Sequence, residues 1–319
     1  MKKIMIAVST LILFFTSVSN VFSTIASAQE KPRIMTTFYP VYFLASKIAG
    51  DHAEVSMLLE NNQDAHSYES SAQDVVKVQE SDLFIYQDDE MEFFVKDLIS
   101  LVDTKSTKVL ESTQGIELLS GQGHDHDHEG EMEEHESEEE HESEGHVHEW
   151  DPHTWLDPMI YAQQAENVKK ALMEVDPANV EVYEENFRTL KAELDKLAED
   201  FETSLSDLEN KVIVVQHGAF GYLAHAFGLE QIAIAGLSSD KEPSARQIAE
   251  MQNLLTKNQV DKVYVDPALD SKIAETVASA TGAELLPLRT LEVVSEEEQE
   301  KGVDYFEIMY QNLEQLIKK

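Results

Sequence analysis

Asp176-Pro177-Ala178-Asn179-Val180 opens the stretch that decides how this chain is built. From Ala178 to Leu208 there is no Gly or Pro, and Leu190, Leu194, Leu197, Phe201, Leu205 and Leu208 recur at spacings of three and four. Those spacings line one face of a helix, and an acid followed by proline marks its start, the acid as N-cap and the proline at the first position. The sequence predicts a single helix over 178–208, about 45 Å long at 1.5 Å per residue.

The same style of sequence lies on both sides of that helix. Before it, Ile34 to Phe38, Val55 to Leu59 and Leu83 to Tyr86 are short apolar runs of strand length, while Val41 to Ile48 (closed by Gly50), Ala72 to Gln79 and Glu92 to Leu101 have helical patterns. After it, Lys211 to Val215, Gln231 to Ile234, Val263 to Val265 and Glu284 to Leu288 read as strands, with Ser244 to Asn258 and Ser271 to Thr281 as helices. Strands separated by helical segments of this length imply βαβ units and parallel sheets. The expected fold is therefore α/β, with two parallel-sheet lobes bridged by one long backbone helix. The lobes are expected over 29–175 and 211–319, with 176–210 as the link.

The first 28 residues form a separate unit. Lys2-Lys3, an apolar run from Ile4 to Phe15 and Ala26-Ser27-Ala28 before Gln29 follow the charged, hydrophobic, small-residue order of a secretory signal, with a cut expected after Ala28. Thr16, Ser17, Ser19 and Asn20 interrupt the apolar run, which falls short of the ~20 residues needed to span a bilayer. The mature chain is thus expected to be exported, to a periplasm or to the extracellular face of the cell. Cysteine is absent, which excludes disulfides, thiolate metal sites, cysteine nucleophiles and a lipid-modified cysteine at the signal junction. A formal net charge of −38 argues against nucleic acid and anionic lipid as partners and favours cations.

Between Gly121 and Trp150 there are seven of the chain's 12 histidines, namely His124, His126, His128, His135, His141, His146 and His148. With them stand thirteen acids and no Lys or Arg. Hydrophobic periodicity disappears here and like charges repel, so the segment reads as a solvated, metal-collecting loop whose imidazoles suit zinc, copper and nickel. An acidic linker would have no need of the histidines.

Three other histidines stand where elements hand over to one another. His66, in Asp64-Ala65-His66-Ser67-Tyr68-Glu69, follows the second expected strand; His153 is in a loop fixed by Pro152; His217 follows the β-branched run ending at Val215. Ligands of open parallel α/β sheets bind outside the carboxyl ends of the strands, so the three can converge in a cleft between the lobes. From spacing alone a lone surface histidine is the better reading of each, because they lie far apart in sequence and no compact signature such as His-Glu-x-x-His joins them.

Taken together, Thr36-Thr37-Phe38-Tyr39-Pro40, Ala49-Gly50-Asp51, Asp64 to Glu69, Asp151-Pro152-His153-Thr154-Trp155-Leu156-Asp157-Pro158 and Gln216-His217-Gly218-Ala219-Phe220-Gly221-Tyr222 resemble the zinc-binding solute-receptor family of metal ABC transporters. The resemblance covers nearly the whole mature chain in the same order, and an acidic histidine-rich insertion before the Asp-Pro-His motif is typical of its zinc members. It implies two (β/α) lobes around a metal held in the inter-lobe cleft. Carried over residue by residue, His66 and His153 fall on the ligands of the amino-terminal lobe and His217 on the first ligand of the carboxy-terminal lobe. The fourth position implied is a carboxylate or water after a late strand; Glu292 is the choice here, and Asp266 the alternative. Each ligand imidazole should donate its other N–H to an acceptor, for which Asp64, Asp151 and Asp157, nearby in sequence, are the open candidates.

The implied function is an extracytoplasmic, high-affinity zinc receptor, a monomer and not an enzyme, delivering Zn2+ to the permease and ATPase of an uptake system. Manganese-carrying relatives usually have a carboxylate where this chain has His217, and a three-imidazole set suits zinc better than the harder manganese ion. Two alternatives from other classes are a secreted zinc buffer or adhesin and a zinc-dependent hydrolase, for which no Ser-His-Asp elbow or metalloprotease helix is visible. Gram-positive relatives are usually tethered by a lipidated cysteine that this chain lacks. Some carry a second zinc-binding domain, which this chain, with Lys319 as its last residue, is expected to lack.

Overall fold

The computed structural model describes residues 30–60, 63–121, 149–234, 245–258, 260–269 and 271–318. The signal segment and the seven histidines of the acidic loop lie outside the described residues.

The amino-terminal lobe runs β1 (Arg33–Thr36), α1 (Tyr39–Ala49), β2 (Glu54–Met57), α2 (Ala72–Gln79), β3 (Leu83–Tyr86), α3 (Val95–Ser100), β4 (Lys108–Glu111) and α4 (Pro158–Val175). Then come α5 (Val180–Ser206) and a second lobe of β5 (Val212–Val215), α6 (Gly221–Phe227), β6 (Glu230–Ala233), α7 (Ala245–Lys257), β7 (Lys262–Val265), α8 (Lys272–Thr281), β8 (Glu284–Pro287), α9 (Glu296–Glu300) and α10 (Tyr305–Leu316). Each lobe holds a four-stranded parallel sheet, ordered β2-β1-β3-β4 in the first and β6-β5-β7-β8 in the second. In both, the chain steps to one side of its first strand and then returns to the other, so each sheet has a switch point beside that strand. Ligands of doubly wound sheets bind at such switch points.

Helix α5 bridges the lobes through its apolar stripe. Tyr183, Phe187, Leu190, Leu194, Leu197, Phe201 and Leu205 are buried, and the helix packs on α1 and α4 of the first lobe and on α6 and α10 of the second. Its polar face carries i,i+4 ion pairs such as Lys191–Asp195 and Lys196–Asp200, each worth only a few tenths of a kcal/mol. Burial of the stripe, at about 1.5–3 kcal/mol per large side chain, is what fixes the helix between the lobes.

Several boundaries depart from the sequence reading. Asp176-Pro177 does not start the long helix. α4 ends at Val175, and the Asp176 carboxylate spans the turn that follows, accepting from Asn179 Nδ2 and Tyr183 OH, both at 2.6 Å. α5 therefore starts two residues after the expected 178, and it closes at Ser206, short of Leu208. The first strand stops at Thr36 and not at Phe38, because Phe38 is the extended N-cap of α1 and Pro40 lies in that helix's first turn. Strand β4 and helices α4, α6, α9 and α10 were not expected from the sequence. Among the described residues, no helix is long and apolar enough to cross a membrane.

Candidate metal centre

His66 is carried by the segment after β2. Its backbone N–H donates to Asp64 Oδ1 at 2.9 Å, and Ser67 Oγ donates to Asp64 Oδ2 at 3.1 Å, so Asp64 folds the turn that aims the imidazole. His153 is fixed from both ends: its N–H donates to Asp151 Oδ1 at 3.0 Å, and the Gln87 amide holds Pro152 O at 2.9 Å and Thr154 Oγ1 at 2.6 Å. Gln164 closes that buried network by accepting from Thr154 Oγ1 and donating to Gln87 Oε1. His217 sits at the exit of β5, the switch-point strand of the second sheet.

Glu292 lies beyond β8, in a loop held by Asp266. The Asp266 carboxylate accepts from Thr290 N at 2.6 Å, Thr290 Oγ1 at 2.9 Å and Ala268 N at 2.8 Å. Asp266, the alternative fourth ligand in the sequence, lies outside the ligand cluster and shapes the loop that presents Glu292. Leu291, between Thr290 and Glu292, has φ 64°, a left-handed conformation that costs a β-carbon-bearing residue of the order of 1–3 kcal/mol. Full burial of its side chain and the Asp266 bonds next to it offset that cost. Across the cleft, Trp155 Nε1 donates to Thr290 O at 2.8 Å, and Tyr305 OH donates to Trp155 O at 2.8 Å. The loop after His153 is thereby tied to the loop before Glu292.

These elements bring His66, His153, His217 and Glu292 together, with one ligand atom of each within 4.8 Å of all the others. The imidazole centroids are 5.0 Å apart for His153 and His217, 5.4 Å for His66 and His153 and 5.8 Å for His66 and His217. His217 Nε2 lies 3.2 Å from His153 Nε2 and 3.1 Å from Glu292 Oε1, and His153 Nε2 is 3.4 Å from the same oxygen. A tetrahedral ion with bonds of 2.0–2.1 Å separates its ligand atoms by about 3.3–3.4 Å, so this spacing suits such an ion. All four side chains are buried, with exposures of 7%, 0%, 2% and 7% in sequence order.

Of the three candidate acceptors behind the imidazoles, Asp151 holds a ring nitrogen of His153. Its Oδ1 lies 2.7 Å from His153 Nδ1, which places the Nδ1 proton on that side and leaves the Nε2 lone pair facing the cluster in neutral imidazole. Asp157 instead caps α4 through Met159 N at 2.8 Å. Burial opposes charge on His153, but the Asp151 and Glu292 carboxylates outweigh it and raise the imidazole to about 9. Burial likewise pushes Glu292 up, yet the charge of His217 and the hydrogen bonds from His153 and His217 hold its carboxyl well below the usual range. The centre therefore binds protons on nitrogen and keeps its oxygen ionised.

Gly221 makes room for Asp151, a role not visible from sequence alone. A β-carbon there would lie 2.3 Å from Asp151 Oδ2, so the first residue of α6 must be glycine for Asp151 to reach His153. Gly221→Ala is expected to displace that carboxylate and weaken metal binding by about tenfold, the lower end of what loss of an outer-sphere partner costs. Calorimetric titration of the variant beside wild type checks this.

Two α/β lobes joined by one helix thus bring three imidazoles and a carboxylate, from segments of both lobes, into one buried cluster that could hold a metal ion. The sequence pattern of the ZnuA family, zinc-uptake complex component A, periplasmic, matches residues 34–319, and the chain belongs to that family. It is 36% identical over 319 residues to zinc-binding protein AdcA of Streptococcus pyogenes serotype M6, covering 99% of this chain and 61% of that protein. The chain thus spans about three fifths of that streptococcal relative. It is 37% identical over 290 residues to the high-affinity zinc uptake system protein ZnuA of Bacillus subtilis, covering 91% of this chain and 88% of the relative. Among solved structures it resembles the Zn(II)-bound ZnuA-like domain of Streptococcus pneumoniae AdcA, with a TM-score of 0.75, 33% identity and coverage of 90% and 98% of the two chains.

Proposed function

We propose that this chain is an exported zinc receptor, which binds Zn2+ through His66, His153, His217 and Glu292 and delivers it to the permease and ATPase of an ABC uptake system. The observation that carries the reading is the buried cluster of three imidazoles and one carboxylate, with the donors of His153, His217 and Glu292 3.1–3.4 Å apart and all four within 4.8 Å of one another. Three nitrogens and a single oxygen favour zinc over manganese, which prefers oxygen donors. Four protein donors close the coordination sphere, whereas catalytic zinc keeps a position open for water, so the arrangement favours a receptor over a hydrolase. Calorimetry of the purified chain with Zn2+ in competition with Mn2+ tests the reading; manganese binding as tightly as zinc would overturn the metal assignment.

Protons should compete with the metal. In the metal-free protein His153 keeps its proton to about pH 9, so at pH 7.5 each ion captured should expel close to one proton from it. Affinity should rise by about tenfold from pH 6.5 to pH 7.5 through this group alone. The stabilisation that protonated His153 gives the metal-free fold has the opposite sign: it is complete below the unfolded value and is lost as pH rises through about 9. Titrations in two buffers of different protonation enthalpy count the protons released, and zero release at pH 7.5 would contradict the assignment.

A further inference from the structure

We infer that zinc reaches and leaves its ligands past Glu292, through a cavity between the segment after β2 and the loop after β8. The inference rests on the zinc-receptor reading and adds the path and its controlling residues. Ligands this deeply buried exchange metal only where solvent approaches one of them. A cavity of about 290 Å³ does so at Glu292, which with His66 is the more exposed of the four ligands, and none of the three histidines lines it. At about 30 Å³ per water in the liquid, it has room for a divalent ion with its first shell of waters. The neighbouring hollow, of about 520 Å³, shares Glu60 and Gln63 with it but touches none of the four ligands.

The inner walls of the cavity are largely apolar, with Phe38, Tyr39 and Leu59 on one side and Val293 and Val294 on the other. Such walls offer an ion nothing in exchange for its waters, so the first protein group to replace one is the Glu292 carboxylate at the inner end. The outer residues are polar: Gln63, Glu60, Glu296 and Glu297. Glu60 is paired with Lys77 at 3.6 Å and Glu297 with Lys301, which leaves exposed Glu296 as the mouth's acid with no basic partner among the described residues. Its charge raises the local cation concentration at the opening.

Stopped-flow measurement of zinc capture, and of release to a chromophoric chelator, tests the route with Gln63→Trp and Glu296→Lys. Both positions are exposed, and thermal unfolding in chelator verifies that each variant folds. A bulky side chain on the path raises the barrier without altering either end state, so Gln63→Trp should slow capture and release by the same factor, roughly three- to tenfold, with Kd unchanged. Glu296→Lys should slow capture by a factor that shrinks as salt rises. Tight zinc binding with wild-type rates in both variants would overturn the route alone, as would a Gln63→Trp Kd altered through release only. A wild-type chain that binds no zinc tightly would overturn the receptor reading and the route with it.

Discussion

Replacing His153 with alanine is expected to weaken zinc binding by about a hundred- to thousandfold. Structural zinc sites yield about 10–16 kcal/mol from four ligands, or roughly 3 kcal/mol for each, and every 1.4 kcal/mol is tenfold in affinity. His153 should fall at the upper end, because its loss also undoes what was built behind it. The Asp151 carboxylate loses its Nδ1 partner at 2.7 Å, and Glu292 loses one of the three imidazoles that keep it ionised while buried. Two buried carboxylates then face each other's neighbourhood with less positive charge between them, which costs stability as well as affinity. Thermal unfolding in chelator separates the two effects. If the metal-free variant unfolds far below the wild type, His66→Ala carries the test of ligation, since the backbone turn at Asp64 that holds His66 does not involve its ring. Wild-type zinc affinity in a folded His66→Ala would remove that residue from the ligand set.

The sequence exposes the repeated parts of this fold more readily than its joints. Residues 83–86 and 72–79 match their elements end to end, because a continuous apolar run and a Ser71-capped amphipathic turn are signals contained within the elements themselves. α4 is another matter. Its start, Asp157-Pro158, is a cap followed by proline like the one expected at Asp176-Pro177, but it sits inside the Asp-Pro-His stretch, where every residue invites a functional reading. At Asp176 the same two-residue signal marks a turn between helices, and what decides the outcome is a long-range choice of partner, Tyr183 OH, that no local pattern encodes. β4, four residues with neither alternation nor a fully apolar run, owes its strand character to pairing with β3.

The same division holds for the centre. His66, His153 and His217 stand out by type and by position at the exits of elements, and the structure brings them together with Glu292. Their spacing in sequence gave no geometry; the resemblance to a family supplied the grouping. What sequence could not supply is the support around them: the Gln87–Thr154–Gln164 network, the left-handed Leu291, and the glycine at 221 that makes room for Asp151. Each depends on a contact between distant segments, and a glycine needed for close approach looks like any other glycine until its neighbour is known.

Deleting residues 122–148 is expected to reduce the number of zinc ions bound per chain to one while leaving that one tight. The seven histidines and twelve of the thirteen acids between Gly121 and Trp150 fall in this deletion. Its ends are already adjacent: Gly121 N donates to Glu149 O at 2.8 Å, Asp151 N donates to Leu119 O at 2.9 Å, and Ser120 pairs with Trp150. A short Gly-containing link can therefore close the gap without disturbing His153. The absence of any hydrophobic pattern in this segment leads us to expect an ordering cost for each metal bound there, which makes its sites weaker than a cluster whose donors stand within 4.8 Å. Loss of so many acids also lowers the cation concentration around the cleft, so uptake should slow chiefly when zinc is scarce, and less so at high salt. Calorimetry of the deletion beside His66→Ala assigns the roles. The deletion should keep a single tight site, and His66→Ala should keep only the weak ones. The reverse pattern, with the tight site lost on deletion and retained in His66→Ala, would move high-affinity binding out of the cleft and into the histidine-rich segment.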